Sequence, residues 1–265
     1  MARERQAVSA HRTLGTLFHD AEEPRASDRE VAWYAARLPR TAGPVLDVMA
    51  GSGRLLIPLL QAGFRVHGID ISEAMLASCR ARLEASGAAT ELFRQNVTAL
   101  NLPFRYSAAF VAGGAFQLLA DPTAALDALL RIRAHLIDPG VLLLDLFVPD
   151  GAEHPPGAPV VEVRTVAAGA DCRIGLRSGT FIDVALRRID VRSRYERRDR
   201  HTITAREDEA LALTWYSEDE VLTLLKDAGY CDLGIEPAAY ERNDGRHFAV
   251  SARARSEGPP PRPRE

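Results

Sequence analysis

The spacing of hydrophobic positions changes at a few points along the chain, and those points divide it. Val31, Tyr34 and Leu38 recur at helical spacing behind Ser27 and Glu30, which stand three apart as a capping box requires, so a helix is predicted before the first strand. From residue 45 short apolar runs alternate with longer helical stretches. "VLDV" reads as a strand, a helix follows from about Gly53, "RVHGI" reads as a second strand, a helix capped by Ser72 starts near Glu73, and "ELFR" is a short third strand. "SAAFVAG" predicts a fourth strand, Asp121 and Pro122 the cap and first residue of a helix ending near Leu136, and "VLLLDLF" a fifth strand buried on both faces. Such alternation demands right-handed crossovers and a parallel sheet.

After Pro149 the texture changes. "PDGAEHPPGAP" reads as a loop, and from about 158 to 214 Val, Ile, Thr and Arg alternate with a period of two, the signature of antiparallel strands. Val184 and Leu186 fall on even positions whereas Ile189 and Val191 fall on odd ones, so a bulge or turn is expected near Arg187 and Arg188. Ser217 and Glu220 form a second capping box, Gly229 stops that helix, and "CDLGI" and "HFAVSARA" close the chain as strands. The expected fold is α/β, a doubly wound, mostly parallel sheet with a smaller antiparallel β insertion after strand 5. Residues 1–26 form an N-terminal segment, with 1–12 frayed, 27–150 the core, 151–214 the insertion, 215–254 the rest of the core, and 255–265 a proline-rich, disordered tail.

Composition narrows the function. At 265 residues and 46% hydrophobic content the chain supports one substantial core with an elaboration. A net charge of −3 with mixed signs gives no global field for nucleic acid or an anionic membrane. The arginines between 187 and 200 alternate with Ile189, Val191 and Tyr195, which reads as a solvated strand face. Cys79, Cys172 and Cys231 are widely separated, and His19, His67, His135, His154, His201 and His247 lack ligand spacing, so neither disulfides nor a metal is expected. No run approaches the roughly 18 apolar residues of a membrane span, and a cytoplasmic location is expected.

The chemistry concentrates in residues 45 to 72, "VLDVMAGSGRLLIPLLQAGFRVHGIDIS". A glycine turn between a buried strand and a helix N-terminus exposes backbone amides to a ligand, and an acid closing the next strand, Asp70, can accept hydrogen bonds from ribose hydroxyls. A dinucleotide fingerprint would need a third glycine at Leu56, which makes a nicotinamide oxidoreductase the poorer reading. Asp47, ahead of the glycines, would oppose a pyrophosphate and suits a cationic ligand.

At this point the sequence resembles the class I S-adenosylmethionine-dependent methyltransferases, over roughly residues 30 to 150 and more weakly to 253. "LDVMAGSGR" looks like their first motif, "GIDISEAML" like the ribose-binding strand and helix, and "RQNVTAL" like the segment beside adenine. "FVAGGAFQLL" and "HLIDPGVLLLDLF" are similar to the segments around strands 4 and 5, and "LTWYSEDEVLTLLKDAGY" to the late helix of the small-molecule branch. Met49 and Asn96 depart from the usual glycine and aspartate.

The resemblance implies a Rossmann-like core, S-adenosylmethionine as cofactor, S-adenosylhomocysteine as product and a small-molecule methyl acceptor. It implies Asp47 near the methionine amino group, Ala50, Gly51 and Gly53 in the turn, and Asp70 on the ribose. Ile71 and Met75 would pack on adenine, Asn96 and Val97 meet its edge, and Gly113 lie near the methionine end. Phe116, Gln117, Phe147, Trp215 and Tyr216 are the substrate-side candidates, and His19, Gln117, Tyr216 and His247 the catalytic ones. The insertion is expected to cover the pocket or form a homodimer surface. A non-catalytic cofactor-binding or interaction protein with the same fold is the alternative.

Overall fold

A computed structural model describes residues 11–40, 42–149, 158–238 and 247–254. Most of the loop expected before residue 159, residues 1–10 and the tail from 255 lie outside the described residues, whereas His11 and Arg12, expected to fray, are held by Glu209. The chain opens with two helices, α1 (Thr13–Glu22) and α2 (Asp28–Ala35). The sequence reading assigns no helix to α1, and its N-cap residue Arg12 makes no side-chain cap. Ser27 caps α2 by accepting from the Glu30 N–H at 3.2 Å, but the other half of the expected box is missing. The Glu30 carboxylate turns instead to Arg54, with oxygens 2.6 and 2.7 Å from the two terminal guanidinium nitrogens.

The predicted alternation then follows: β1 (Val45–Val48), α3 (Leu56–Gln61), β2 (Val66–Asp70), α4 (Glu73–Ser86), β3 (Leu92–Arg94), β4 (Tyr106–Val111), α5 (Pro122–His135) and β5 (Leu136–Phe147). α3 starts at Leu56 and not near Gly53, because left-handed backbone at Gly51 and Gly53 holds the preceding residues in turns. Ser72 caps α4 through the Met75 N–H, and Asp121 caps α5 with Pro122 at its first position.

After β5 come β6 (Val160–Ala167), β7 (Cys172–Asp183), β8 (Arg188–Asp199), β9 (Thr202–Thr214), α6 (Glu218–Asp227), β10 (Tyr230–Pro237) and β11 (His247–Ala254). The main sheet has seven strands in the order β10-β11-β5-β4-β1-β2-β3, with β11 antiparallel to both neighbours and the others parallel. From the neighbours β1 and β4 the strands run outward as β2 and β3 on one side and as β5, β11 and β10 on the other, with β11 inserted between β5 and β10, and a crevice opens beyond the carboxyl ends of β1 and β4. Alternation along β1 sends Leu46 and Val48 into one apolar layer and Val45 into the other, the side that Asp47 shares.

β6 to β9 form a separate antiparallel sheet in sequence order. The expected slip near Arg187 is a turn: Ile182 pairs with Ile189, Arg187 has φ 49°, and Val184 and Leu186 stand exposed at the tip. The ladder is irregular elsewhere, between Arg197 and Arg198. Arginines of this sheet meet carboxylates, Arg188 with Asp190, Arg194 with Asp208 and Arg198 with Glu196. Leu14 and Phe18 of α1 pack on Ile174, Leu176 and Tyr195, so α1 lies between the two sheets' systems of contacts. No helix among the described residues is long and apolar enough to cross a membrane.

Candidate functional site

Between β1 and α3 the backbone turns through Met49, Gly51 and Gly53, with φ of 62°, 56° and 82°. The left-handed conformation costs a residue with a Cβ roughly 1–2 kcal/mol, so Met49 is held there by the surrounding fold. At Gly53 a Cβ would come 2.7 Å from Cys79 Sγ, so α4 packs on bare backbone. Asp70 closes β2 and faces this turn. Its Oδ2 accepts from the Gly51 N–H at 2.9 Å and its Oδ1 from the Ser72 N–H at 2.8 Å, which leaves lone pairs on both oxygens for ligand hydroxyls. Burial raises its pKa, against the pull of those backbone hydrogen bonds.

Asp47 is only 3% exposed. Burial pushes its carboxyl well above the ordinary range; Arg54 opposes this, while Asp70 and Glu30 add to it. Arg54 is already engaged by Glu30 in a two-pronged pair, so Asp47 remains an under-compensated buried acid suited to a cation.

Two cavities meet at the turn. One of about 200 Å³ is lined by Asp47, Ala50, Gly51, Met75 and Gly113. The other, of about 420 Å³, is lined by Gly51, Asp70, Ile71, Met75, Asn96, Val97 and Gly113. Apart from Gly53, which lies in the turn against Cys79, the residues expected to hold a cofactor are thus brought together. Asn96 Oδ1 accepts from the Thr98 N–H and hydroxyl, both at 3.0 Å, so its amide N–H groups are the ones offered to a ligand. The far wall of the larger cavity is the inner face of the antiparallel sheet, including Leu176, Ser178, Thr180, Val191 and Leu213.

Comparison with known proteins fits this geometry. Residues 45–139 match the family model described as a methyltransferase domain. These residues are a methyltransferase domain. Over 110 residues, 42% of the chain, the sequence is 33% identical to a Geobacillus sp. (strain WCH70) protein that carries a methyltransferase's name. The match spans 44% of that relative's length. The whole fold is similar to the sugar N-methyltransferase KedS8 from Streptoalloteichus sp. ATCC 53650, with a TM-score of 0.73 at 19% identity over 97% of this chain and 99% of that one. It is also similar to CalS10, an amino pentose methyltransferase from Micromonospora echinaspora solved with S-adenosylmethionine bound, with a TM-score of 0.67 at 22% identity over 89% and 96% of the two chains. The fold is therefore that of the class I S-adenosylmethionine-dependent methyltransferases.

Of the residues named as substrate-side or catalytic candidates, His19 and Phe147 line the larger cavity. Gln117 does not. It is fully buried, its amide nitrogen donates to the Phe147 and Thr214 carbonyls at 3.0 and 2.9 Å, and its oxygen accepts from the Phe147 N–H at 2.8 Å. With its capacity spent on backbone, Gln117 clamps β5 to the end of β9. Phe116 is buried against Tyr216, and Trp215 and Tyr216 line a separate groove beside α6. His247 pairs with Phe147 across β11 and β5 and stays outside both cavities.

The sequence reading misses His11. It lines both cavities, its Nδ1 lies 2.8 Å from Glu209 Oε1, its carbonyl accepts from the Ser72 hydroxyl at 2.6 Å, and its ring meets that of His19 edge-on at 4.5 Å. Glu207 takes the place of the missing α1 cap, accepting from the Leu14 and Gly15 N–H groups at 3.1 and 3.3 Å. Burial lowers the His19 pKa to about 4, with a further push from His11. Glu209 is raised by burial but brought below its ordinary value by His11 and the Arg12 N–H. These partners are nearly two hundred positions apart, and only the capping carboxylates' alternation along β9 hinted at an inward face.

Proposed function

We propose that this protein transfers the methyl group of S-adenosylmethionine to a nitrogen of a small molecule. The observation that carries the reading is the larger cavity itself, in which a wall bearing Gly51, Asp70 and Asn96 faces a wall bearing Ser178, Thr180 and Val191. A cofactor and an acceptor can share such a chamber. The names of the sugar N-methyltransferase and the amino pentose methyltransferase favour an amine acceptor.

Asp47 would hold the amino group of the methionine portion, Asp70 the ribose hydroxyls, Ile71 and Met75 the faces of adenine, and Asn96 its polar edge. When bound, the cofactor supplies an electrophilic methyl carbon on a sulfonium that leaves without protonation. The protein's share is alignment and exclusion of water, which the antiparallel sheet and the α1 segment provide by closing over the turn. His19, uncharged at neutral pH, offers a lone pair for hydrogen bonding and adds no repulsion beside a cationic ligand.

Isothermal titration with S-adenosylmethionine, S-adenosylhomocysteine and NADH, repeated on Asp70→Ala, tests the cofactor. Binding of the first two that collapses in the variant is expected; binding of NADH alone, or of none, overturns the reading. Mass spectrometry of incubations with amino sugars, amines and matched alcohols then tests the atom, and methylation confined to hydroxyls would remove the nitrogen assignment.

A further inference from the structure

β6 ends the antiparallel sheet, with β7 along one side and no described strand along the other. Natural sheets blunt such an edge by shortness, proline, a bulge or inward-pointing charges, and of these β6 carries only the charges, one of each sign, which a two-fold copy can pair. β6 has eight residues, "VVEVRTVA", without proline, in unbroken register with β7. Val161 and Val163 on its outer face are 49% and 68% exposed. Its two charged residues, Glu162 and Arg164, flank Val163 on the inner face, with side chains 56% and 46% exposed.

We infer that β6 pairs antiparallel with β6 of a second copy of this chain about a two-fold axis at Val163, joining the two antiparallel sheets into one. Charge selects this register. Symmetric pairing sets residues of the same face opposite each other, so the axis passes through a residue. An axis at Glu162 or at Arg164 would oppose like charges, which is unfavourable, and one at Val161 or Thr165 would set both charged residues opposite uncharged ones. At Val163 each Glu162 faces the partner's Arg164, Val161 faces the partner's Thr165, and Val160 faces the partner's Val166. Every uncharged pair in this span is then β-branched on β-branched, the combination that pleated surfaces favour. Arg164 already meets Glu22 at 2.6 Å and, more loosely, Glu162 of its own strand at 3.5 Å, and its five N–H donors leave room for the partner's carboxylate as well. Glu162 and Arg164 also line the larger cavity, so the axis runs beside both copies' chambers. The inference does not depend on methyl transfer.

Sedimentation velocity of the full-length chain at micromolar concentration tests it, with Glu162→Arg, Arg164→Glu and an equimolar mixture of the two. The wild type should be a dimer. Each variant alone opposes like charges twice and should associate about tenfold more weakly or worse. In the mixture both pairs become attractive, and a heterodimer should re-form. Val163→Lys, at an exposed position, should dissociate the dimer without lowering the melting temperature, which separates loss of pairing from loss of folding. A monomeric wild type overturns the inference, as do variants that dimerise like wild type, or a mixture that stays monomeric while both variants melt cooperatively.

Discussion

Gly51 and Asp70 are 19 positions apart, and the N–H of the first donates to the carboxylate of the second at 2.9 Å. The bond locks the turn after β1 to the end of β2, so the acid that would meet a ribose also shapes the loop that would meet the methionine. Asp70→Asn must point an amide NH₂ at one of two N–H donors, Gly51 or Ser72. The expected loss is about 1–3 kcal/mol, or roughly 10- to 100-fold in S-adenosylmethionine affinity, measurable by titration calorimetry.

With Asp47 in the proposed role, cofactor binding should depend on pH. Burial raises its carboxyl pKa in the unliganded protein, and a bound cation lowers it again. Binding should therefore release protons, and affinity should fall as pH drops through the raised pKa. Without ligand the sign is opposite: the raised carboxyl makes the fold gain stability as pH falls through the same range. Calorimetry in buffers of differing ionisation enthalpy detects the proton release, and Asp47→Asn should abolish it.

Gln117→Ala leaves the Phe147 N–H and two carbonyls, those of Phe147 and Thr214, without a partner in a buried site. A cost of roughly 2–4 kcal/mol is expected from the unmade hydrogen bonds. The melting temperature should fall while the pH dependence of any turnover stays that of wild type. A changed pH profile with unchanged stability would instead assign Gln117 to the chemistry.

His19 carries a pKa lowered from the model-peptide value of 6.5 to about 4. Between these values the unfolded chain binds a proton that the folded chain refuses, so stability is fully present above about 6.5 and declines as pH falls toward 4. Thermal melts of His19→Gln should show a shallower decline than wild type across that window. Parallel curves would mean that His19 titrates normally.

Much of the frame is legible in the sequence because it is local. The strands from "VLDV" to "VLLLDLF" show as apolar runs, Ser72, Asp121 and Ser217 cap the helices that follow them within three residues, and left-handed Gly51 and Gly53 mark the turn. Asp47 and Asp70 could be named for the same reason, since each stands at a fixed offset from that turn.

The rest rests on contacts that no local period encodes. Ser27 and Glu30 have the spacing of a capping box, yet Glu30 forks onto Arg54, because a buried carboxylate gains more from a two-pronged cation than from one backbone amide. Trp215 and Tyr216 look like an acceptor wall and instead flank α6, whereas Leu213, two residues earlier, faces the cavity. By itself the sequence determined the strands, the helices from α2 onward and where the glycine turn lies, but not α1, which has no local cap. Only the tertiary structure decided that His11 and Glu209 close over that turn, that Glu207 caps a helix on the other side of the chain, and that Gln117 is a clamp. Those roles depend on how two sheets dock, and docking is set by burial and hydrogen-bond satisfaction across distant segments, not by spacing along the chain.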